Sequence, residues 1–323
     1  MWNFKPLNAH LQTPPKFYLV KHTEIGDMIP RNGYLCKVDI SDAYNHLWPH
    51  NSLPCFAINT ANHGPLYLRS MGFGASWSPY LWVRLIRSVL KPLKQMGITV
   101  LDYLDDLLIT GQTKEEAQLK AQLVVAHLQA AGLLIKEEKC QLEPSQTITF
   151  LGFQWDTKTM TMTLPEQKRL KILLQTKKML HRKMITIRNM QQLMGTLQSI
   201  SRAGPFLRLL LRPLQHWLLS AATTAAPTSP NTTTTTVSTV PSLTNQHRTS
   251  DALQQNLREW IKYLQRPLKE TLTPLPIITK IYTDASDTGY GGWAPKLEKM
   301  PELKFSGFWS RNMAPKQIEL KEL

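Results

Sequence analysis

Apolar residues recur along the chain with two periods, and the switches between them predict its elements. Residues 33–40, GYLCKVDI, form a short apolar run ending at an acid, as a buried strand does. Ser78-Pro79 opens a helix, with proline at the first helical position, where its missing N–H costs nothing. Apolar positions follow at Trp82, Ile86, Val89, Leu90 and Leu93, and Gly97 closes the element; Pro92 predicts a kink or a cut within it. Residues 98–103 (ITVLDY) and 107–110 (LLIT) are two apolar runs separated by LDD, which predicts a hairpin with acids at its tip. Thr113 and Glu116 make a capping box for a helix running through Leu119, Leu123 and Leu128 to Gly132. Residues 148–156, ITFLGFQWD, read as a further strand, and from Pro165 to about Leu219 the pattern is helical. Strand, helix, hairpin, helix, strand and then helices is an α+β order.

Composition changes that picture at one place. Residues 221–249 are mostly Thr, Ala, Ser and Pro, with no Phe, Trp or Tyr and one Arg. Such a stretch buries too little apolar surface to offset its ordering entropy. It predicts a flexible linker over 220–250, separating 1–160 and 161–219 from a smaller unit at 251–323.

Charge narrows the partner. Lys plus Arg exceed Asp plus Glu by 38 to 23, a net +15, which points to a polyanion, with nucleic acid ahead of an anionic membrane surface. The basic run Lys168, Arg169, Lys171, Lys177, Lys178, Arg182, Lys183 has few balancing acids. The most apolar stretch, 206–219, contains Arg208, Arg212 and Pro213, so no membrane span is expected. The start, MWNFKPLNAHL, has no apolar core of a signal peptide. Cys36, Cys55 and Cys140 are widely spaced and odd in number, which fits a reducing compartment and neither a disulfide framework nor a metal cluster; within the cell, cytoplasm and nucleus both stay open.

Two acidic sites carry candidate chemistry. In KVDISDAY, Asp39 ends a strand and Asp42 lies one turn on; in YLDD, Asp105 and Asp106 sit at a hairpin tip. Adjacent acids in an apolar hairpin repel each other, and a divalent pair removes that repulsion. Two Mg²⁺ or Mn²⁺ ions bridged by carboxylates are what in-line phosphoryl displacement needs. The plainer reading, solvated turn acids, is the weaker one for this combination in so basic a chain.

The ordered series KVDISDAY, MGFGASWSP, YLDDLLITG, GLLIKEEKC and FLGFQWD resembles the motifs of retroelement reverse transcriptases. The later TDASDTGYGGWAP resembles the start of the ribonuclease H domain that follows in such polyproteins, and with FWSRNMAPKQIELKEL the flavour is most similar to DIRS-like (tyrosine-recombinase) retrotransposons. The resemblance implies a right-hand polymerase with partial fingers and palm at 1–160, thumb or connection helices at 161–219, and, after the linker, a connection helix and a truncated ribonuclease H-like domain at 251–323. It implies RNA-directed DNA polymerase activity on an RNA template and DNA primer, with dNTP and an RNA–DNA hybrid as further partners. Asp39, Asp105 and Asp106 fall on the palm carboxylates, with Asp39 and Asp105 foremost as metal ligands. Ile40, Ser41, Asp42 and Ala43 face the incoming triphosphate, and Tyr44 falls on the ring that excludes a ribose 2′-hydroxyl; packing in the core is the competing reading for Tyr44. Phe73 and Gly74 pack under the nascent pair and the dNTP, where a plain turn is the alternative. Lys139 falls on the acid for the pyrophosphate leaving group, against a solvated charge beside Lys136, Glu137 and Glu138. Phe150, Leu151 and Gly152 match the primer grip, a hairpin holding the primer 3′ end. For the second domain the resemblance implies Asp284, at the end of a strand over 277–286, as a metal ligand, with Glu322 as second acid and Glu319 its competitor.

The strands that precede NFKPLN (3–8) in the family, with their basic residues, and the remaining hydrolase acids are missing from the sequence, so a fragment of a polyprotein or a decayed copy is expected. The alternative function is therefore a catalytically inactive relic that only binds nucleic acid.

Overall fold

The computed structural model describes residues 3–49, 57–60, 62, 64–204, 206–224, 246–273, 280–296 and 301–308. Two compact units divide the chain, Met1–Thr273 and Pro274–Leu323. In the first, the elements run α1 (Lys5–His10), α2 (His22–Met28), β1 (Tyr34–Asp39), β2 (Ala57–Thr60), β3 (Gly64–Tyr67), α3 (Ser78–Gln95), β4 (Val100–Tyr103), β5 (Asp106–Gly111) and α4 (Lys114–Ala130). They continue with β6 (Gln141–Ser145), β7 (Thr147–Phe150), β8 (Phe153–Asp156), β9 (Thr161–Thr163), α5 (Glu166–Leu180), β10 (Met184–Thr186), α6 (Ile187–Ile200), α7 (Leu211–Thr224), β11 (Gln246–Arg248), α8 (Asp251–Leu264) and β12 (Lys269–Thr271). The second unit shows β13 (Tyr282–Ala285), β14 (Gly289–Ala294) and β15 (Leu303–Phe308), an antiparallel meander.

The central sheet has the order β4-β5-β1-β6. Strands β4, β5 and β1 are mostly apolar because both of their faces are covered, whereas the edge strand β6 is polar and more exposed. Cys36, Val38, Ile40, Val100, Leu107 and Ile109 join Trp82, Ile86 and Leu90 of α3 and Ala117, Ala121 and Val124 of α4 in one core. Leu35, Leu101 and Leu108 belong to the other core, with Phe150, Phe153 and Trp155 of the second sheet (order β12-β9-β8-β7) and the faces of α5 to α8. The period of two therefore sends Lys37 and Asp39 of β1 and Asp106 of β5 to the face away from α3 and α4.

Local chemistry explains the element ends. Thr113 Oγ1 accepts from Glu116 N at 3.2 Å, while Glu116 Oε2 reaches Gln112 N at 2.7 Å, one residue before the expected partner. Pro92 neither cuts nor ends α3, which runs on to Gln95; in the last turn only one interior bond is forfeited. The strand expected at 148–156 is two strands, β7 and β8, joined by Leu151-Gly152. Both loop residues have positive φ, 50° and 78°, the geometry that lets a two-residue loop follow the strand twist. The helical stretch is broken by β10, which pairs with β11.

The second unit begins later than 251. α8 packs on α5 and α7, Trp260 Nε1 donates to the Leu210 carbonyl at 3.2 Å, and β12 pairs with β9, so 246–273 belong to the first unit. Most of the expected linker, 225–245, lies outside the described residues, as do Cys55, the start of the strand expected at 277–286, Glu319 and Glu322.

Candidate active site

β1 and β5 run antiparallel with Asp39 directly opposite Asp106. β4 and β5 form a hairpin whose two loop residues are Leu104 and Asp105. Leu104 adopts φ 53°, a left-handed conformation that costs a branched residue energy and persists only when the surroundings enforce it. They do so here: Trp82 of α3, fully buried, donates Nε1–H to the Leu104 carbonyl at 2.9 Å, and Ile40 N donates to the Asp105 carbonyl at 2.9 Å. Asp105 thus sits at a pinned tip beside the end of β1.

Asp39 is 6% exposed. Burial raises its carboxyl above the ordinary value; Lys139 opposes the shift, Asp106 adds to it, Lys37 opposes it and Asp105 adds to it. Lys37 Nζ lies 2.7 Å from Asp106 Oδ1 and 4.0 Å from Asp39 Oδ2. Its approach to Asp106 is off the hydrogen-bonding direction, so this contact is an ion pair and leaves Oδ1 without a hydrogen bond. Lys37 was not singled out from the sequence; its place two residues before Asp39 on a strand is the signal that puts both on one face.

Asp102 makes the contrast. It is as buried as Asp39 but points toward α3, where Arg87 Nε reaches Oδ2 at 3.1 Å and Lys94 Nζ reaches Oδ1 at 2.6 Å. Two partners neutralise it, so it is a structural acid that ties the hairpin to α3. Asp39 and Asp106, by contrast, share the Lys37 ammonium.

The turn after β1 is built by Asp42, at φ 45°, and a 3-10 turn over Ala43–His46. Tyr44 is buried, its hydroxyl pushed above the ordinary value by burial and then by the Asp105 charge, and its ring lies 4.8 Å from the exposed ring of Phe73. The Phe73-Gly74 loop is held by Asn8 of α1, whose Nδ2 donates to the Gly74 carbonyl at 2.8 Å and whose Oδ1 accepts from Ser76 N at 2.9 Å. Gly74 has φ 103°, outside the range of a side chain-bearing residue. Lys139 ends a 3-10 turn over Glu137–Lys139 that Cys140 anchors: Cys140 Sγ accepts from Asp39 N at 3.2 Å. The structure therefore gathers Asp39 through Tyr44, Asp105, Asp106 and Lys139 at one end of the sheet, with Phe73 and Gly74 against Tyr44. Phe150, Leu151 and Gly152 sit on the separate β7–β8 hairpin, where Lys168 Nζ contacts the Gly152 carbonyl at 3.4 Å and lies 5.4 Å from the centre of the Phe153 ring. Asp284 is exposed on β13, its Oδ1 accepting from Ala285 N.

Asp39, Asp105 and Asp106 supply hard oxygen donors, the first buried, the second exposed and the third half-buried, with Lys139 and Lys37 the cations that act on Asp39, and such a donor set fits Mg²⁺ or Mn²⁺. They are placed side by side rather than drawn into a ligand shell: among the described residues no three His, Cys, Asp or Glu side chains converge closely enough to hold an ion.

Residues 2–155, just under half of the chain, match the family described as reverse transcriptase (RNA-dependent DNA polymerase). It is 29% identical over 200 residues to the Gag-Pro-Pol polyprotein of Human T-cell leukemia virus 2, covering 56% of this chain and 12% of that one. It is 24% identical over 216 residues to the Transposon Tf2-3 polyprotein of Schizosaccharomyces pombe, covering 67% and 15%. The chain thus spans under a sixth of the curated relatives it matches. Among solved structures, a foamy viral protease-reverse transcriptase in complex with RNA/DNA hybrid superposes with TM-score 0.63 at 16% identity, over 97% of this chain and 38% of that one. The foamy viral protease-reverse transcriptase dRH in complex with double-stranded DNA gives 0.62 at 17%, over 95% and 48%. The fold is a right-hand polymerase fold.

Proposed function

We propose, with the reverse transcriptase match at residues 2–155 as the premise, that this chain is the RNA-directed DNA polymerase of a retrotransposon, joining dNTPs to a primer 3′-hydroxyl on an RNA template. One observation carries the reading: Asp39 and Asp106 face each other across β1 and β5 on the sheet face turned away from α3 and α4, and Asp105 occupies the pinned hairpin tip next to them. That is where a two-metal nucleotidyl transfer needs its carboxylates. When bound, two divalent ions activate the attacking hydroxyl and neutralise the leaving pyrophosphate; Asp39 and Asp105 are their foremost ligands, with Asp106 the third. The backbone of Ile40, Ser41, Asp42 and Ala43 faces the triphosphate. Tyr44, backed by Phe73, excludes a ribose 2′-hydroxyl, and Gly74 admits the nucleotide closely. Lys139, which already acts on the Asp39 carboxyl, gives its proton to the pyrophosphate. Phe150, Leu151 and Gly152 hold the primer end, and the basic face of α5 follows the phosphate backbone of the hybrid.

The motif TDASDTGYGGWAP supports a ribonuclease H-like start in the second unit, with Asp284 a metal ligand and Glu322 or Glu319 its partner; the overall motif flavour supports a DIRS-like source.

Primer extension on an RNA template tests the polymerase reading. Extension that depends on Mg²⁺ or Mn²⁺ and falls about 10²–10³-fold in Asp105→Asn is expected. Filter binding of the hybrid with no extension under any divalent ion identifies instead a binding-only relic, a reading to which the Lys37–Asp106 contact lends weight.

A further inference from the structure

The turn that carries Tyr44 is held at both ends by one residue, Leu134. The Leu134 carbonyl accepts from Ser41 N at 2.8 Å, and Leu134 N–H donates to His46 Nε2 at 3.0 Å. An N–H can only donate, so Nε2 is the acceptor and the imidazole proton resides on Nδ1, which lies 3.3 Å from the Ala43 carbonyl and donates to it. The same ring lies 5.9 Å from that of Trp82, the residue that pins the Leu104 carbonyl behind Asp105. His46 therefore touches three parts at once: the turn bearing Tyr44, the strand-like segment after α4, and the indole that shapes the acidic hairpin tip.

We infer that His46 is a positioning residue for nucleotide-sugar selection, setting the place of the Tyr44 ring by clasping Ala43–His46 against Leu134 and Trp82. It rests on Tyr44 acting as the ring that excludes a 2′-hydroxyl. The geometry makes both nitrogens count: a carbon ring keeps the Trp82 contact and loses both hydrogen bonds, whereas an amide keeps an acceptor for Leu134 N–H. With the clasp open, the turn keeps the Ser41–Leu134 bond before it and its backbone bonds but loses both His46 contacts at its far end, so the Tyr44 ring gains freedom and a 2′-hydroxyl gains room.

The test compares dNTP with rNTP incorporation, as the ratio of kcat/KM, in wild type, His46→Phe, His46→Gln and Tyr44→Ala, and follows exchange of the Leu134 amide by NMR in the same chains without substrate. His46→Phe is expected to lower the dNTP preference about tenfold, the factor that two hydrogen bonds of ordinary net strength supply, and to speed Leu134 exchange. His46→Gln is expected to restore much of both. Should His46→Phe not fold, Leu134→Pro removes the donor from the other side and must relax the preference in the same way. If Tyr44→Ala relaxes the preference while His46→Phe leaves it intact, the positioning role is overturned. Unchanged Leu134 exchange in His46→Phe overturns it too, whether or not the chain extends primers. If Tyr44→Ala itself leaves the preference unchanged, the underlying assignment of Tyr44 fails, and the exchange measurement still decides whether the clasp exists.

Discussion

At Asp39, burial and two neighbouring acids hold a carboxyl above its ordinary value while Lys37 and Lys139 pull the other way. A raised value in the folded state means that folding favours the proton. The contribution to stability is therefore fullest below 3.8 and is lost as pH rises through the raised value, so at neutral pH the ionised group is a cost to the fold. Asp39→Asn removes that cost. Without divalent ions its melting temperature at pH 7 is expected to exceed that of the wild type by a few degrees, and the gap to close below about pH 4; a melting temperature lower than wild type at pH 7 contradicts the electrostatic picture. The proposed role of Asp39 predicts that this gain in stability comes with loss of primer extension, as at sites that hold charge for chemistry rather than for folding. The sequence exposed these acids by type and position. It did not distinguish Asp105 from Asp106 by neighbours, because the pairing of Asp106 with Asp39 and the seat of Lys37 between them are matters of register across residues about 70 positions apart.

Elements with strong local signals were legible: β1, the β4–β5 hairpin, α3 from its Ser-Pro start, and α4 with its Thr113 cap. The boundaries that failed were non-local or hidden in turns. Residues 148–156 look like one strand because Phe150, Phe153 and Trp155 are all buried, and the turn residues Leu151-Gly152 break the apolar run only by a single glycine. That glycine is where the hairpin is most sensitive. At φ 78°, with a Cβ placed 2.7 Å from Lys168 Nζ, Gly152→Ala must strain the backbone and displace the lysine. Chemical denaturation is expected to show a loss of about 1 kcal/mol; no loss means the turn relaxes into another type. Asp102, invisible as a structural acid in the sequence, is understood only once α3 lies over β4 and brings Arg87 and Lys94 to it.

Over the whole molecule, the excess of basic residues, the right-hand fold and the cluster of acids at the end of one sheet point the same way. The misplaced feature was the boundary between units. A polar Thr-rich stretch marks where a chain can stop packing, but it does not show whether the chain returns, and here it does. Leu253, Leu257, Trp260 and Leu264 of α8 are buried in the core they share with α5 to α7, and the Leu264 carbonyl accepts from Arg169 Nη1 at 2.6 Å. Each such side chain contributes on the order of 2 kcal/mol. A chain ending at Thr273 is therefore expected to unfold in one cooperative thermal transition, and one ending at Ser250 to aggregate or to lose that transition; equal behaviour of the two denies α8 its place in the first unit. The central claim, that Asp39, Asp105 and Asp106 together hold divalent metal, is tested most directly by replacing Mg²⁺ with Fe²⁺ in the complex with an RNA–DNA hybrid and mapping ascorbate-driven backbone cleavage. Cuts confined to the neighbourhoods of residues 39 and 105, competed away by Mg²⁺ and absent in Asp105→Asn, are the predicted result. Cleavage elsewhere, or the same pattern in Asp105→Asn, contradicts it.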